Sequence, residues 1–107
     1  MPMQCGNLFA NIPPALSEER VEQLMATGHV RIDRIISRGQ TAPASGWYDQ
    51  PQDEWVALLQ GEARIEFQGA PEVSLKAGDW ILIHAHQKHR VTFTSTEPAC
   101  IWLAVHA

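Results

Sequence analysis

Five residues in two short segments of the chain could do chemistry together: Asp49 and Glu54 in the first, and His84, His86 and His89 in the second. Two or three neutral imidazoles with one or two carboxylates form a hard-to-borderline ligand set, which suits Fe, Mn, Ni, Co or Zn. A carboxylate inside a protein also needs a compensating partner, because burying an unpaired charge is costly. The two segments therefore predict a site for one divalent metal ion.

The alternation of side chains around two of these residues indicates which way they face. In the run that follows His89, the residues on its side of a strand are Val91 and Phe93, so His89 is predicted to point into the interior. Glu54 begins a run that is apolar on both faces. The pattern alone leaves the direction of Glu54 open, and the double apolarity suggests that the outer face of this run is covered.

Seven short β-rich runs, separated by turn residues, make up most of the chain after residue 29. They cover residues 30–37, 54–60, 63–68, 72–76, 80–83, 89–94 and 101–105. Runs of this length and spacing are typical of sandwiches and barrels, so an all-β fold is predicted. The length of 107 residues fits one domain with one core.

The first 28 residues differ from the rest and are predicted to form an N-terminal arm and a short helix that packs on the barrel of residues 29–107. Ser17 can cap the N-terminus of this helix, and Gly28 can end it. Val21, Leu24 and Met25 would form one apolar stripe at helical spacing. The helix is expected to act as a lid or packing element.

Two segments of the chain resemble the motifs of the cupin superfamily. The first runs from Gly46 through Glu54 and, six residues later, to Gly61, where a cupin usually has glycine, a His-x-His pair, glutamate and glycine. Counting back from Glu54 places Trp47 and Asp49 at the paired histidines. The second runs from Gly78 to His84-Ala-His86-Gln-Lys-His89, where the usual pattern is Pro-x-Gly-x-x-His. The terminal histidine is kept, and His84 and His86 replace proline and glycine.

The resemblance covers about residues 30–105 and implies a double-stranded β-helix, or jelly-roll barrel, that holds a metal or small ligand in its wider mouth and is often dimeric. It implies that Glu54 and His89 are metal ligands. Asp49 could supply another oxygen ligand or be a solvated turn residue, and His86 could reach the metal or cap the turn. Trp47, Tyr48 and His84 are candidates to line the pocket, although the residue pattern favours a half-buried loop aromatic for Tyr48. His106 lies almost at the end of the chain, where disorder is the default expectation.

Composition excludes several classes of partner. The 8 basic residues are outnumbered by 12 acidic ones and do not cluster, which argues against nucleic-acid binding. No apolar run approaches the ~20 residues that a membrane span needs. Cys5 and Cys100 show no metal-ligand spacing, and no signal peptide is recognisable, so a cytoplasmic protein with two free thiols is expected.

The doubly apolar run at 54–60 and the apolar arm residues predict a homodimer.

Three functions are compatible with these features. The first is a metal-dependent enzyme of dioxygenase, isomerase or lyase type that acts on a small oxygen-bearing organic molecule. The second is a module that binds or senses a metal or small ligand without turnover. The third is a barrel whose site has decayed and whose role is association through its apolar outer faces.

Overall fold

The computed structural model of the protein describes residues 3–107 and contains eight β-strands in two antiparallel sheets. The strands are β1 (Arg20–Ala26), β2 (Arg31–Ser37), β3 (Glu54–Gln60), β4 (Glu62–Phe67), β5 (Val73–Lys76), β6 (Trp80–Ile83), β7 (His89–Thr94) and β8 (Cys100–His106). The larger sheet has the order β1-β2-β8-β3-β6, and the smaller has the order β5-β4-β7. The predicted all-β class is confirmed.

The core lies between the inner faces of the two sheets. Ala63, Ile65 and Phe67 of β4 are buried in alternation with more exposed polar residues, as their sequence pattern predicts. They pack in one cluster with residues from the larger sheet, including Val56 and Leu58 of β3. The two inner faces thus form one apolar layer, which leaves room for a polar site only toward one end of the barrel.

The predicted N-terminal helix is wrong, since residues 20–26 form strand β1, which pairs with β2 at the edge of the larger sheet. The register shifts between Gln23 and Met25, so a β-bulge interrupts the alternation of this strand. Val21, Leu24 and Met25 are exposed and do not form the one buried stripe that their helical spacing predicted. Pairing with β2 outweighs the local propensity of the segment. Residues 1 and 2 of the predicted arm lie outside the described range.

The rest of the arm runs over the outer face of β2. Arg34 is buried there, and its Nη1 donates hydrogen bonds to the carbonyl oxygens of Leu8 (3.0 Å) and Ala10 (2.7 Å). Its Nε donates to Glu22 Oε1 on β1 at 2.7 Å. One guanidinium therefore joins the arm, β1 and β2.

A second bulge changes the direction of Phe93. In the pairing of β4 with β7, the register shifts after Arg64 opposite Phe93, and the next pair is Ile65 with Val91. Thr92 is the extra residue, so Thr94 is buried and Phe93 is exposed, with its ring under the guanidinium of Arg64. The expectation that Phe93 shares the inner face with His89 is therefore wrong, whereas His89 itself is buried.

Within residues 3–107, no helix is long and apolar enough to cross a membrane.

Candidate functional site

A cavity of about 190 Å³ opens between the sheets at the end of the barrel where β3 begins and β8 ends. Its floor is apolar and is formed by side chains that include Val56, Ile65 and Trp102. Its wall carries eight polar side chains: Glu19, Arg31, Asp33, Tyr48, Gln50, Glu54, His89 and His106. An apolar cavity with a few convergent polar groups is the usual form of a small-molecule site.

Glu54 lies at the centre of the polar groups. It is the first residue of β3 and pairs with His106 of β8 on one side and Ile83 of β6 on the other. Its side chain is buried, and Oε1 accepts a hydrogen bond from Gln50 Nε2 at 3.0 Å. Because β3 is an interior strand of the larger sheet, the carboxylate is held on a rigid element.

His89 faces Glu54 from the smaller sheet, with its Nε2 3.7 Å from Glu54 Oε1. The other ring nitrogen, Nδ1, lies 2.9 Å from the carbonyl oxygen of Gln87, which can only accept a hydrogen bond. Nδ1 therefore carries the proton in the neutral ring, and Nε2 presents a lone pair to the cavity. His89 is held further by the rings of Tyr48 and Phe67, whose centroids lie 5.4 and 6.0 Å away.

His106 faces Glu54 from the other side, with its Nε2 3.7 Å from Glu54 Oε2. Its Nδ1 lies 3.3 Å from Nη2 of Arg31, and a guanidinium can only donate. Nδ1 is therefore the acceptor, and Nε2–H points toward the carboxylate. The two histidines present opposite faces to Glu54, a lone pair from His89 and an N–H from His106, so the expected disorder at residue 106 is wrong.

The segment before β3 places Tyr48 and Gln50 on its inner side and Trp47 and Asp49 on its outer side. The backbone of Tyr48 pairs with that of His89, and Tyr48 and Gln50 line the cavity. Trp47 lies under the guanidinium of Arg90, 4.2 Å from the ring centroid. The pair that faces Glu54 here is therefore Tyr48 and Gln50, one residue away from the positions that counting back from Glu54 indicated.

The remaining predicted residues lie outside the cavity. His86 Nδ1 and Asp49 Oδ1 are 2.7 Å apart, and this pair is exposed. His84 is exposed in the turn before β7. The structure thus brings Glu54, His89 and Tyr48 together at the cavity, and it leaves Asp49, His86, Trp47 and His84 outside it, because alternation and the turn at 84–88 direct their side chains outward.

The arrangement does not fit a metal centre of the expected kind. Among residues 3–107, no three His, Cys, Asp or Glu side chains are grouped so as to hold a metal ion. Glu54 and the lone pair of His89 are two donors, whereas His106 turns an N–H toward them and the two other expected ligands bind each other. Catalytic sites for such ions usually have three protein ligands. The polar groups at the cavity can donate and accept hydrogen bonds.

Two groups at the cavity have raised pKa values. Burial, and second the charge of Glu54, raises the pKa of Glu19 above its ordinary value. Burial raises the pKa of the Tyr48 phenol, and the charges of Glu19 and Glu54 add to the effect. Tyr48 is therefore a neutral hydrogen-bond donor at physiological pH, and Glu19 holds its proton more tightly than an exposed glutamate does.

The chain belongs to the cupin family. The family model for the cupin domain matches residues 37–106, which is well over half of the chain and contains every strand from β3 to β8. The resemblance to cupins that the two motifs indicated is therefore confirmed as family membership. A comparison with curated proteins finds no match.

Solved structures show the same fold. A protein from Ralstonia eutropha JMP134, provisionally named a mannose-6-phosphate isomerase, is 42% identical, with a TM-score of 0.93 and 98% of each chain covered. A cupin superfamily protein from Desulfitobacterium hafniense is 19% identical, with a TM-score of 0.78 over 99% of this chain and 93% of that one. A cupin with a double-stranded β-helix fold from Methanocaldococcus jannaschii is 18% identical, with a TM-score of 0.71 over 90% and 85%. The jelly-roll prediction is confirmed.

Sequence reasoning missed five polar residues that line the cavity: Glu19, Arg31, Asp33, Gln50 and His106. A signal for His106 exists, since Trp102 and Ala104 precede it at alternate positions of an apolar strand and share its face. Arg31, Asp33 and Ile35 are at every second position of β2, so they lie on the same face of the strand. Glu19 had no such signal, because its segment has the spacing of a helix.

Proposed function

We propose that the protein is a small-molecule isomerase that moves a proton between the carbon atoms of a small hydroxycarbonyl compound, with Glu54 as the proton carrier. The observation that supports this most directly is the buried carboxylate of Glu54, held between a ring lone pair of His89 and a ring N–H of His106, each 3.7 Å away. Proton transfer beside a carbonyl needs a base for the carbon and a hydrogen-bonding group for the oxygen. The cavity supplies both.

The steps of such a reaction balance without an external oxidant or reductant. Glu54 takes the proton from the carbon that carries the hydroxyl group and returns it to the former carbonyl carbon. His106 donates a hydrogen bond from Nε2–H to the carbonyl oxygen as negative charge develops there, and it keeps its proton. His89 accepts the hydroxyl proton at its free Nε2 and delivers it to the former carbonyl oxygen, which becomes the new hydroxyl group, so all three side chains end as they began. The substrate is oxidised at one carbon and reduced at its neighbour, so a pair of proton-transfer groups is sufficient.

The size of the cavity limits the ligand. Pockets for drug-sized ligands have volumes of about 300–1,000 Å³, whereas this cavity has about 190 Å³. A compact polar molecule with few carbon atoms fits this space and can bind with its apolar side over Val56 and Ile65. The name of the Ralstonia relative, a sugar phosphate isomerase, points to the same type of reaction.

Deuterium exchange tests the proposal. Dihydroxyacetone and mannose are incubated with the protein in heavy water, and incorporation at the carbon beside the carbonyl is followed by proton NMR. We expect exchange above the buffer rate with the natural protein and loss of that excess with Glu54→Gln. Asp49→Asn removes a carboxylate outside the cavity and should retain the exchange. Equal exchange by the natural protein and Glu54→Gln contradicts the proposal.

The second candidate function is a module that binds a small ligand without turnover. It is favoured by the hydrogen bond from Gln50 to Glu54, which already occupies one oxygen of the proposed base. Shifts of the His89 and His106 ring signals on addition of ligand, without any deuterium exchange, would favour this function.

We also propose that the protein works in a reducing cytoplasm. The two free cysteines, Cys5 and Cys100, support this proposal.

A further inference from the structure

The charges around the cavity favour one class of ligand. Three carboxylates line it, from Glu19, Asp33 and Glu54, and of the described lining residues Arg31 alone carries a permanent positive charge. Phosphate sites in proteins are built from several donors, such as Arg, Lys or free backbone N–H groups. The cavity therefore has an excess of negative charge, whereas a phosphate site has an excess of positive charge and hydrogen-bond donors.

The single guanidinium is also already engaged. Arg31 Nε donates to Asp33 Oδ2 at 2.8 Å, and Arg31 Nη2 donates to His106 Nδ1 at 3.3 Å. Asp33 is buried, and Arg31 is the arginine that pairs with its carboxylate. Two of the five N–H donors of Arg31 are thus used, and its positive charge is already paired with the Asp33 carboxylate, so the attraction left for an anionic ligand is reduced.

Glu19 occupies a separate place in this arrangement. Glu54 and Asp33 lie on interior strands, whereas Glu19 directly precedes the edge strand β1. Within residues 3–107, the Glu19 side chain makes no hydrogen bond and no ion pair. Its carboxyl group can therefore bind a ligand. The charges of Glu19 and Glu54 both raise the pKa of Tyr48, so the two carboxylates act on the same part of the cavity.

We propose that the cavity selects uncharged or cationic hydroxylated molecules and rejects phosphorylated ones, and that Glu19 is a specificity-determining residue for this selection. The proposal rests on the function proposed above for the same cavity, and it assigns the charge of the ligand. It separates this protein from the sugar phosphate chemistry named for its Ralstonia relative. A polyol or amino-polyol can donate hydrogen bonds to Glu19 and Glu54. A phosphate group is mostly dianionic at neutral pH, so it rarely donates a hydrogen bond and is repelled by the two carboxylates.

Three compounds with one carbon skeleton test the proposal: glycerol, glycerol 3-phosphate and 3-amino-1,2-propanediol, which are neutral, anionic and cationic at neutral pH. Binding is measured from the ring signals of His89 and His106 by NMR at low and high salt. We expect the neutral and cationic compounds to shift these signals and the phosphate to bind at least tenfold more weakly. Glu19→Gln should reduce this discrimination severalfold, and Glu18→Gln, an exposed neighbour with the same charge change, should not.

The outcomes separate this proposal from the proposed function. Glycerol 3-phosphate binding as tightly as glycerol overturns the charge selection, whatever the deuterium exchange shows. Failure of all three compounds to shift the histidine signals overturns the assignment of the cavity as a hydroxylated-ligand site. Binding with the expected charge order, but without deuterium exchange, retains the selection and removes only the isomerase. Unchanged discrimination in Glu19→Gln removes the role of Glu19.

Discussion

Glu54 and His106 are paired residues of the neighbouring strands β3 and β8, and inside the barrel His106 Nε2 lies 3.7 Å from Glu54 Oε2. The strand register fixes this relationship, because directly opposed residues of an antiparallel pair keep their Cβ atoms about 4.5–5.5 Å apart. A carboxylate and an imidazole on rigid, adjacent strands are preorganised for proton transfer.

Removal of the His106 N–H should therefore slow the reaction more than it harms folding. With His106→Leu, which has no donor, we expect deuterium exchange to fall by about 10²–10³-fold, the range found when one donor to a developing oxyanion is lost. Unfolding in urea should show a cooperative transition. His84→Leu, which changes an exposed histidine outside the cavity, serves as the control. Full activity in His106→Leu would exclude this residue from the chemistry.

The raised pKa of Glu19 makes a prediction for stability. The folded protein binds the Glu19 proton more tightly than the unfolded chain, so this group lowers stability as pH rises through its ordinary pKa of 4.5 toward the raised value. Glu19→Gln should thus raise the melting temperature near pH 8 and change it little near pH 4. Thermal unfolding at both pH values measures this, with Glu18→Gln as control. A decrease at pH 8 would contradict the cause assigned here.

Chelation should leave the protein intact. Of the four predicted ligands, Glu54 and His89 face the cavity, whereas Asp49 and His86 bind each other outside it. We expect exhaustive treatment with a chelator to leave the melting temperature unchanged, because an ion that binds the folded state weakly adds little stability. Elemental analysis accompanies the measurement. Stoichiometric metal that is lost with His89→Ala but kept with His86→Ala would restore a metal site at the cavity.

Two glycines with the same backbone conformation should respond differently to alanine. Gly61 and Gly78 have φ values of +93° and +97°, so each substitution carries the left-handed strain of about 1–2 kcal/mol. A Cβ at Gly78 meets nothing within 4 Å, whereas at Gly61 it would lie 2.8 Å from Ser95 Oγ and 2.9 Å from Cys100 Sγ. Gly61→Ala should cost about 1–3 kcal/mol more. Urea unfolding compares the two, and equal losses would contradict the packing argument.

We also propose that two copies associate through the outer face of the larger sheet. Trp80 and Leu82 are 61% and 45% exposed there, and Trp80 stacks on Trp55 with 6.0 Å between ring centroids. Exposed apolar patches of this kind mark interfaces between proteins. Sedimentation should give a dimer, and Trp80→Glu should give monomers. Phe93→Glu, on the outer face of the smaller sheet, should leave the dimer intact; a monomeric natural protein at micromolar concentration would refute the proposal.

The parts of the structure that follow period-two alternation could be predicted from the sequence. Ala63, Ile65 and Phe67 are buried as expected. Glu54, which the spacing to Gly61 singled out, lines the candidate cavity. The failures occur where the period breaks. The segment at 20–26 has helical spacing and is a strand with a bulge at Leu24. The bulge at Thr92 turns Phe93 to the outer face of the smaller sheet. No local pattern shows a bulge, because the partner strand determines where the extra residue goes.

The position of Glu19 beside an edge strand has a consequence for binding affinity. Nearly all side chains of β1 are exposed, so this strand is attached to the barrel mainly through its backbone ladder with β2 and the contact of Glu22 with Arg34. Strands with so little buried surface open locally more often than core strands. A ligand that contacts Glu19 and Val21 binds fully only while β1 is docked, so its apparent affinity is its intrinsic affinity multiplied by the docked fraction. Occupancy of the cavity should in turn protect the β1 amides from hydrogen exchange, and any substitution that loosens this strand should weaken binding without touching the ligand.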